Sequence, residues 1–407
     1  MSSQHTRKQP FVNFMQKIVF LHVVLFFMRN FYFLLEKLLR KNKNIALFFL
    51  TEEFYYDNSK YLFEYMREKK DFRSILFTAN KDLYKTLNNK FPEEVTYAWS
   101  LKALKLFLKT KNVIISYGTS AAVFFPYYLH EKCKNIIYLG HGTPVKQIGC
   151  QTSVWNKFGK SFQLQSYSYL TACSDIECLM LASGFRVNLN RIWISGMPRY
   201  DYLLGGNNKN PGLLQEHPYL NKKVILYAPT WRDGEPTNFF PFEDYSREQL
   251  QNFLEKNDAY LLIRGHKESV KRKSIKKDAA LFSLERVKKA EQDIFPDVTQ
   301  LLPFVDILIT DYSSILVDFL LLDKPMCFIP YDLDAYRSYQ GILLDYERNT
   351  PGKKFTDMKE FTRGLQDYID DSTIDQEWRH RVCKTYHHFT DSNNCQRIYK
   401  NIVSLNK

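Results

Sequence analysis

What most limits the folds open to this chain is a recurrence. Short runs rich in isoleucine, valine, leucine and aromatics return along it, each separated from the next by a stretch long enough for a helix. The first series reads NIALFFL near residue 45, RSILFTAN (73–80), VTYAW (95–99), NVIISYG (112–118), NIIYLG (135–140), SYLTACS (168–174) and RIWISGMP (191–198). A strand covered on both faces shows a continuous apolar run instead of alternation, and parallel neighbours need a helix-length crossover. The runs therefore predict βαβ units and a parallel sheet. A polar, turn-rich stretch, GGNNKNPG (205–212), interrupts the series. A second series follows, with KVILYAPTW (223–231), AYLLIRGH (259–266), VDILITD (305–311) and PMCFIPYD (325–332).

With 407 residues, 45% of them hydrophobic, the chain holds enough apolar material for two cores. The expected layout is α/β: a Rossmann-like domain over 44–204, a linker over 205–222, a second Rossmann-like domain over 223–375, and C-terminal helices over 376–407 that could cross back to the first domain. Residues 1–43 stand apart. Positions 11–39 are apolar and aromatic with Lys17, Arg29, Glu36 and Lys37 interspersed, and the longest apolar run stops at Arg29, short of the ~20 residues that a membrane span needs. The basic cluster LRKNKN (39–44) follows on the C-terminal side and no small-residue cleavage site is present, which argues against a signal peptide. An in-plane helix on an anionic leaflet is the preferred reading; a helix packed in a core, or a true span, are the alternatives.

The 57 Lys plus Arg against 44 Asp plus Glu give a formal charge of +13, which suits polyanionic partners such as phosphate-rich substrates or anionic lipid. Seven scattered cysteines without a CxxC pair indicate neither a disulfide framework nor a thiolate zinc site and fit a reducing cytoplasm. The P-loop, HExxH and GxSxG signatures are absent, as is any strong nucleic-acid-binding signature.

In an open parallel sheet ligands sit beyond the carboxyl ends of the strands, and four polar clusters fall there. His141-Gly142-Thr143-Pro144 with Lys146 follows NIIYLG: the histidine can relay a proton near neutral pH, the glycine permits close backbone approach, and the lysine offers a cation to phosphate. A loop histidine with no such role is the competing reading. Arg232, closing YAPTWR, could clamp a diphosphate bidentately. Arg264, His266 and Lys267 in RGHK would suit an anionic leaving group, or simply solvate a loop. Thr310-Asp311-Tyr312-Ser313-Ser314 precedes the helix-like ILVDFLLLDKP, so Ser313 and Ser314 would open a helix whose free N–H groups form a phosphate site, or merely cap it. One turn on, the carboxylate of Asp318 could accept hydrogen bonds from a ribose. No metal set is predicted; His387 and His388 are adjacent instead of spaced for ligation.

HGTPVKQIG, YAPTWR, RGHKE and the long block DILITDYSSILVDFLLLDKPMCFIPYDLDAYRSYQGILLDYERNTPG resemble the CDP-glycerol glycerophosphotransferase family that builds teichoic acids and capsule polymers. The resemblance runs from about residue 45 to 390. It implies a GT-B architecture, two Rossmann-like parallel-sheet domains facing a cleft, with the acceptor on the N-terminal side and the CDP donor mainly on the other. It implies transfer of glycerol phosphate, or a related polyol phosphate, from CDP-glycerol or CDP-ribitol to a hydroxyl of a lipid-linked or polymeric acceptor, releasing CMP, with no tightly bound cofactor. The family's first histidine falls on His141, as base for the acceptor hydroxyl, and its second on His266, near the donor diphosphate. Its serine pair falls on Ser313 and Ser314, with Asp311 holding the turn. Residues Gly142, Thr143 and Lys146 are expected on the acceptor or phosphate side, and Arg232, Arg264, Thr310 and Asp318 on the donor side. The resemblance also implies membrane association, here at the cytoplasmic face of a bacterial membrane; the chain departs from the long polymerases in that one catalytic module with a short N-terminal anchor is expected, without their extra N-terminal domain or helical-repeat region. A glycosyltransferase of the same fold using a nucleotide sugar is the alternative.

Overall fold

The computed structural model describes residues 27, 30–50, 54–117, 127, 129–152, 167–206, 209–230, 232, 238–265 and 280–406. They form two bodies, the first built on one parallel sheet and the second on another. The first holds β1 (Asn42–Leu50), β2 (Arg73–Thr78), β3 (Val95–Tyr97), β4 (Thr110–Ile115), β5 (Asn135–Tyr138), β6 (Tyr169–Ala172) and β7 (Ile192–Ile194), in the order β3-β2-β1-β4-β5-β6-β7. The second holds β8 (Lys223–Tyr227), β9 (Ala259–Ile263), β10 (Val287–Lys289), β11 (Ile307–Thr310) and β12 (Met326–Phe328), in the order β10-β9-β8-β11-β12. The direction of strand succession reverses between β1 and β4 in one and between β8 and β11 in the other, and such switch points open the crevices in which α/β proteins bind ligands. The helices that frame the crevice and close the fold are α1 (Asp57–Arg67), α2 (Asp175–Phe185), α3 (Tyr200–Leu204), α4 (Ile315–Leu320) and α5 (Asn394–Ser404).

β1 shows why the apolar runs are unbroken. Leu47 and Phe49 point into one buried cluster with Phe77, Phe107 and Val113; Ala46, Phe48 and Leu50 point into another with Leu62, Phe63 and Met66 of α1. With both faces covered, the two-residue period carries no polar side. Every expected run contains a strand. β10 was not expected: VKK has no apolar run, because an edge strand needs to bury only Val287.

Two sequence expectations change. The stretch over 205–222 is a linker by composition, yet Pro211–Glu216 is a helix whose Asn210 cap accepts from the Gly212 N–H at 2.9 Å, and Leu213, Leu214 and Tyr219 pack on the second body's core. At the N-terminus, positions 11–26, 28 and 29 lie outside the described residues, and no helix among the described residues is long and apolar enough to cross a membrane. The helical residues 30–37, however, are docked. Tyr32 is buried against Phe107, and Glu36, 2% exposed, pairs with Lys41 at 2.8 Å and with the fully buried Lys134 at 3.2 Å. A division at residue 43 therefore cuts through a folded part, since removing Glu36 strands Lys134, whose pKa burial has already pushed down to about 7.

The chain ends by returning to where it began. α5 lays Cys395, Ile398 and Ile402, spaced by three and four residues, onto the α1 side of the first sheet. Replacing Ile398 by Ala leaves a cavity under that helix, and a loss of about 2–4 kcal/mol is expected. Denaturant unfolding followed by circular dichroism checks it; a shift below about 1 kcal/mol would mean that α5 is dispensable to the first body.

Candidate active site

The carboxyl ends of both sheets face one cavity of about 210 Å³, into which the first body sends Tyr56, Asp57, Tyr117, His141 and Arg199 and the second sends Arg264, Gly265, Asp297, Ser313, Ser314 and Asp318. His141 is carried on the loop after β5 and lines the cavity. Tyr117 stacks on its ring at 4.9 Å and 12°, and the Tyr117 hydroxyl is 2.7 Å from that of Tyr56. Desolvation by its neighbours pushes the His141 pKa below the ordinary imidazole value, opposed by the Asp57 carboxylate and by the Ser116 backbone carbonyl that accepts from the ring. An imidazole that donates one N–H to a carbonyl keeps a lone pair on its other nitrogen, the state a general base needs.

His141 is held in place through its backbone. The Asn58 side chain donates to Gly140 O at 2.9 Å, and Arg199 Nη1 donates to His141 O at 2.9 Å. The same Arg199 Nη1 reaches Asp57 at 2.9 Å, while Nη2 reaches Asp318 of the second body at 2.8 Å. Gly142 lies close against the second body: a Cβ there would come within 2.9 Å of Ser314 Oγ.

Several expected donor-side groups are engaged by protein. Arg232 spends its fork on Asp332, at 3.0 and 2.8 Å, and its Nη1 on Asp311 at 2.6 Å, so it does not offer a free bidentate clamp to a diphosphate. Thr310 is fully buried and donates to Ala228 O at 2.7 Å. Asp311 holds the turn after β11, accepting from the Thr230 and Tyr312 N–H groups at 2.7 and 2.5 Å. Asp318 is engaged as well, its Oδ1 accepting from Arg199 Nη2 and from the Tyr200 hydroxyl, both at 2.8 Å. Thr143 is buried and donates to Glu177 at 3.3 Å.

The groups left facing the cavity are His141, Ser313, Ser314 and Arg264. Arg264 anchors Nη1 on Ala290 O and Phe295 O at 2.7 and 3.0 Å; burial lowers its pKa to about 10, opposed by Asp297, so it stays cationic near neutrality. Ser314 starts α4 without a side-chain capping bond. His266 lies outside the described residues, as do Trp231 and Lys267, while Gly265 just before it lines the cavity. Lys146, whose pKa burial lowers, makes no hydrogen bond or ion pair among the described residues and stands 5.8 Å from the Tyr336 ring centroid. No group of three or more His, Cys, Asp or Glu side chains able to hold a metal ion occurs among the described residues.

Sequence reading missed Asp57, Arg199 and Asp297. Arg199 did carry a signal: MPRYD follows β7 just as HGTP follows β5. Asp57 has a positive φ of 65°, a backbone state that aspartate enters more readily than most residues and that a sequence does not display. Asp297 accepts from Lys60 Nζ and the Tyr61 hydroxyl, both at 2.8 Å, tying α1 to the second body.

A family model described as CDP-Glycerol:Poly(glycerophosphate) glycerophosphotransferase matches residues 31–404. The chain is 28% identical over 395 residues to a teichoic acid glycerol-phosphate transferase of Staphylococcus aureus, covering 89% of this chain and 95% of that one. It is 27% identical over 393 residues to a teichoic acid poly(glycerol phosphate) polymerase of Staphylococcus epidermidis, covering 87% of this chain and 52%, about half, of the polymerase. Among solved structures, the wall teichoic acid polymerase TagF superposes with a TM-score of 0.71 at 22% identity, covering 97% of this chain and 99% of that one. A Neisseria meningitidis UDP-GlcNAc 2-epimerase shares the fold at a TM-score of 0.53 and 14% identity, with 88% of this chain and 99% of that one covered.

Arg199 is the test of how the cavity is held. Arg199→Met leaves Asp57 and Asp318 buried without their cation, and a loss of about 3–5 kcal/mol is expected, partly restored by adding Asp318→Asn. Thermal and denaturant unfolding of the single and double variants measure it; an unaltered midpoint in the single variant would show that the two carboxylates do not depend on Arg199.

Proposed function

The chain belongs to the CDP-glycerol:poly(glycerophosphate) glycerophosphotransferase family, and we propose from that premise that it transfers glycerol phosphate from CDP-glycerol to a hydroxyl of a teichoic-acid-type acceptor. One observation carries the reading: a single cavity holds a histidine poised as a base on one wall and, on the other, an arginine and a serine-led helix start suited to phosphate. The acceptor side then belongs to the first body and the donor side to the second.

The acceptor oxygen attacks the β-phosphorus of the donor. A new P–O bond forms, the bond from that phosphorus to the bridging oxygen breaks, and CMP leaves with the bonding pair. The acceptor proton passes to the free ring nitrogen of His141. Negative charge grows on the bridging oxygen, where Arg264, Ser313, Ser314 and His266 supply stabilisation without reorganisation. Arg232 and Asp311 act one step back, by fixing the turn that presents the serines.

The transfer takes place at the cytoplasmic face of a bacterial membrane, with the N-terminal segment lying in its interface. Phe31 and Leu34 are exposed on the face of the helical residues 30–37 away from the docked Tyr32 and Glu36, with Phe27 and Leu38 also exposed and Lys37 and Arg40 nearby in the sequence.

Replacing His141 by Ala is expected to lower CMP release from CDP-glycerol by roughly 10²–10⁴-fold. Because the pKa of His141 is depressed, its basic form persists into mildly acidic solution and is lost only as pH falls through that lowered value. The acidic limb of the kcat/KM profile should therefore lie below the ordinary imidazole range, and lower still in Asp57→Asn, which removes the charge that raises it. Near-wild-type turnover in His141→Ala, or UDP release from a UDP-sugar in place of CMP, would overturn the assignment. For the membrane, the combined replacement of Phe31, Leu34 and Leu38 by Ser should weaken sedimentation with anionic liposomes while leaving the fold intact; unchanged binding would move the contact to the basic surface.

A further inference from the structure

His141 stands between two cavities. Besides the cleft there is one of about 340 Å³ behind the loop over 140–149, walled by β5, β6 and α2, and the two cavities share His141 and Ser314 in their linings. Its volume falls within the range of small-ligand sites and is about ten times the liquid volume of one water. A transfer reaction needs two substrates to meet at one base, and this arrangement provides two chambers that meet there.

The chambers differ in chemistry. The cleft carries Arg264 and the serine helix start, which suit a diphosphate. The second chamber carries a buried carboxyl, Glu177, beside the hydroxyls of Thr143 and Thr171, with Tyr138, Tyr167 and Phe185 as aromatic walls. We propose that this chamber seats the terminal polyol unit of the acceptor, its hydroxyls read by Glu177 and Thr143 and the phosphate behind it by Lys146. The assignment rests on the transfer reaction proposed above and adds the place and chemistry of its second substrate.

A carboxylate repels a diphosphate but pairs well with vicinal hydroxyls. Burial raises the Glu177 pKa to about 7, so near neutrality the group can both donate to and accept from an alcohol. It accepts from the Cys173 N–H at 2.6 Å and from Thr143, so one carboxyl joins the end of β6 to the loop that carries His141. Lys146 supplies a single cation that is not committed to an ion pair among the described residues, which matches one phosphodiester and not a nucleotide diphosphate.

The test uses the full chain, CDP-glycerol and a soluble glycerol phosphate oligomer as acceptor, with Glu177→Gln and Lys146→Met. The acceptor KM is expected to rise about tenfold in each, the size of one lost charge-assisted hydrogen bond. The donor KM, and CDP affinity measured by calorimetry, should stay within about twofold. A mere strut for the loop would shift donor and acceptor constants together, and that outcome overturns the proposal, as does an unchanged acceptor KM in both variants. If Glu177→Gln fails to bind CDP, Lys146→Met decides alone. A wild-type chain that binds CDP but releases no CMP with any acceptor removes the transfer reaction itself, and the chamber's assignment with it; turnover with unmoved acceptor constants removes the assignment alone.

Discussion

The site depends on one guanidinium held between two carboxylates that come from different bodies. Arg199 bonds Asp57 and the His141 carbonyl on one side and Asp318 on the other, and it is 6% exposed. Three charges taken out of water together are tolerable only because each has a partner of opposite sign at hydrogen-bond distance. The consequence is positional. Asp318 lies in α4, the helix that Ser313 and Ser314 lead into, so the group that holds the His141 loop also holds the start of that helix. One side chain thus joins the two walls of the cavity directly.

Around that centre, further contacts among the described residues join the bodies. Lys60 and Tyr61 of α1 meet Asp297. Met197, Tyr200 and Leu203 run into the apolar cluster that also holds Leu316, Val382 and Tyr386. The backbone of 145–147 pairs antiparallel with 341–343 through Gln147 N to Gly341 O at 3.4 Å and Leu343 N to Val145 O at 3.1 Å. Gly341 is required there twice over: its φ is +72°, and a Cβ would strike the Gln147 side chain at 2.4 Å.

The strands were legible in the sequence because burial on both faces leaves a run that no turn or surface helix imitates; β1 and β4 are examples. The strand-end clusters were legible because a parallel sheet puts its chemistry at one edge. Side-chain partners were not. Arg232 reads as a free phosphate clamp until the chain brings Asp332, 100 residues away, into its fork. Asp318 reads as a ribose acceptor until Arg199, 119 residues earlier, claims it. Local spacing carries no information about such pairings. The docked part of the N-terminal segment was hidden for a related reason, since the buried partner of Glu36 lies almost a hundred positions downstream, at Lys134.

The short ladder between 145–147 and 341–343 makes the loop that bears His141 a shared part of both bodies. Backbone pairing tolerates tilting about its own axis but not separation, because parting it would expose unpaired amide groups. Lys60 and Asp297 join the same two bodies at a separate point, 2.8 Å apart. The loop that bears His141 is therefore tied by its own backbone to the body that carries Ser313 and Ser314, so a displacement of one body is passed to the histidine through main-chain bonds.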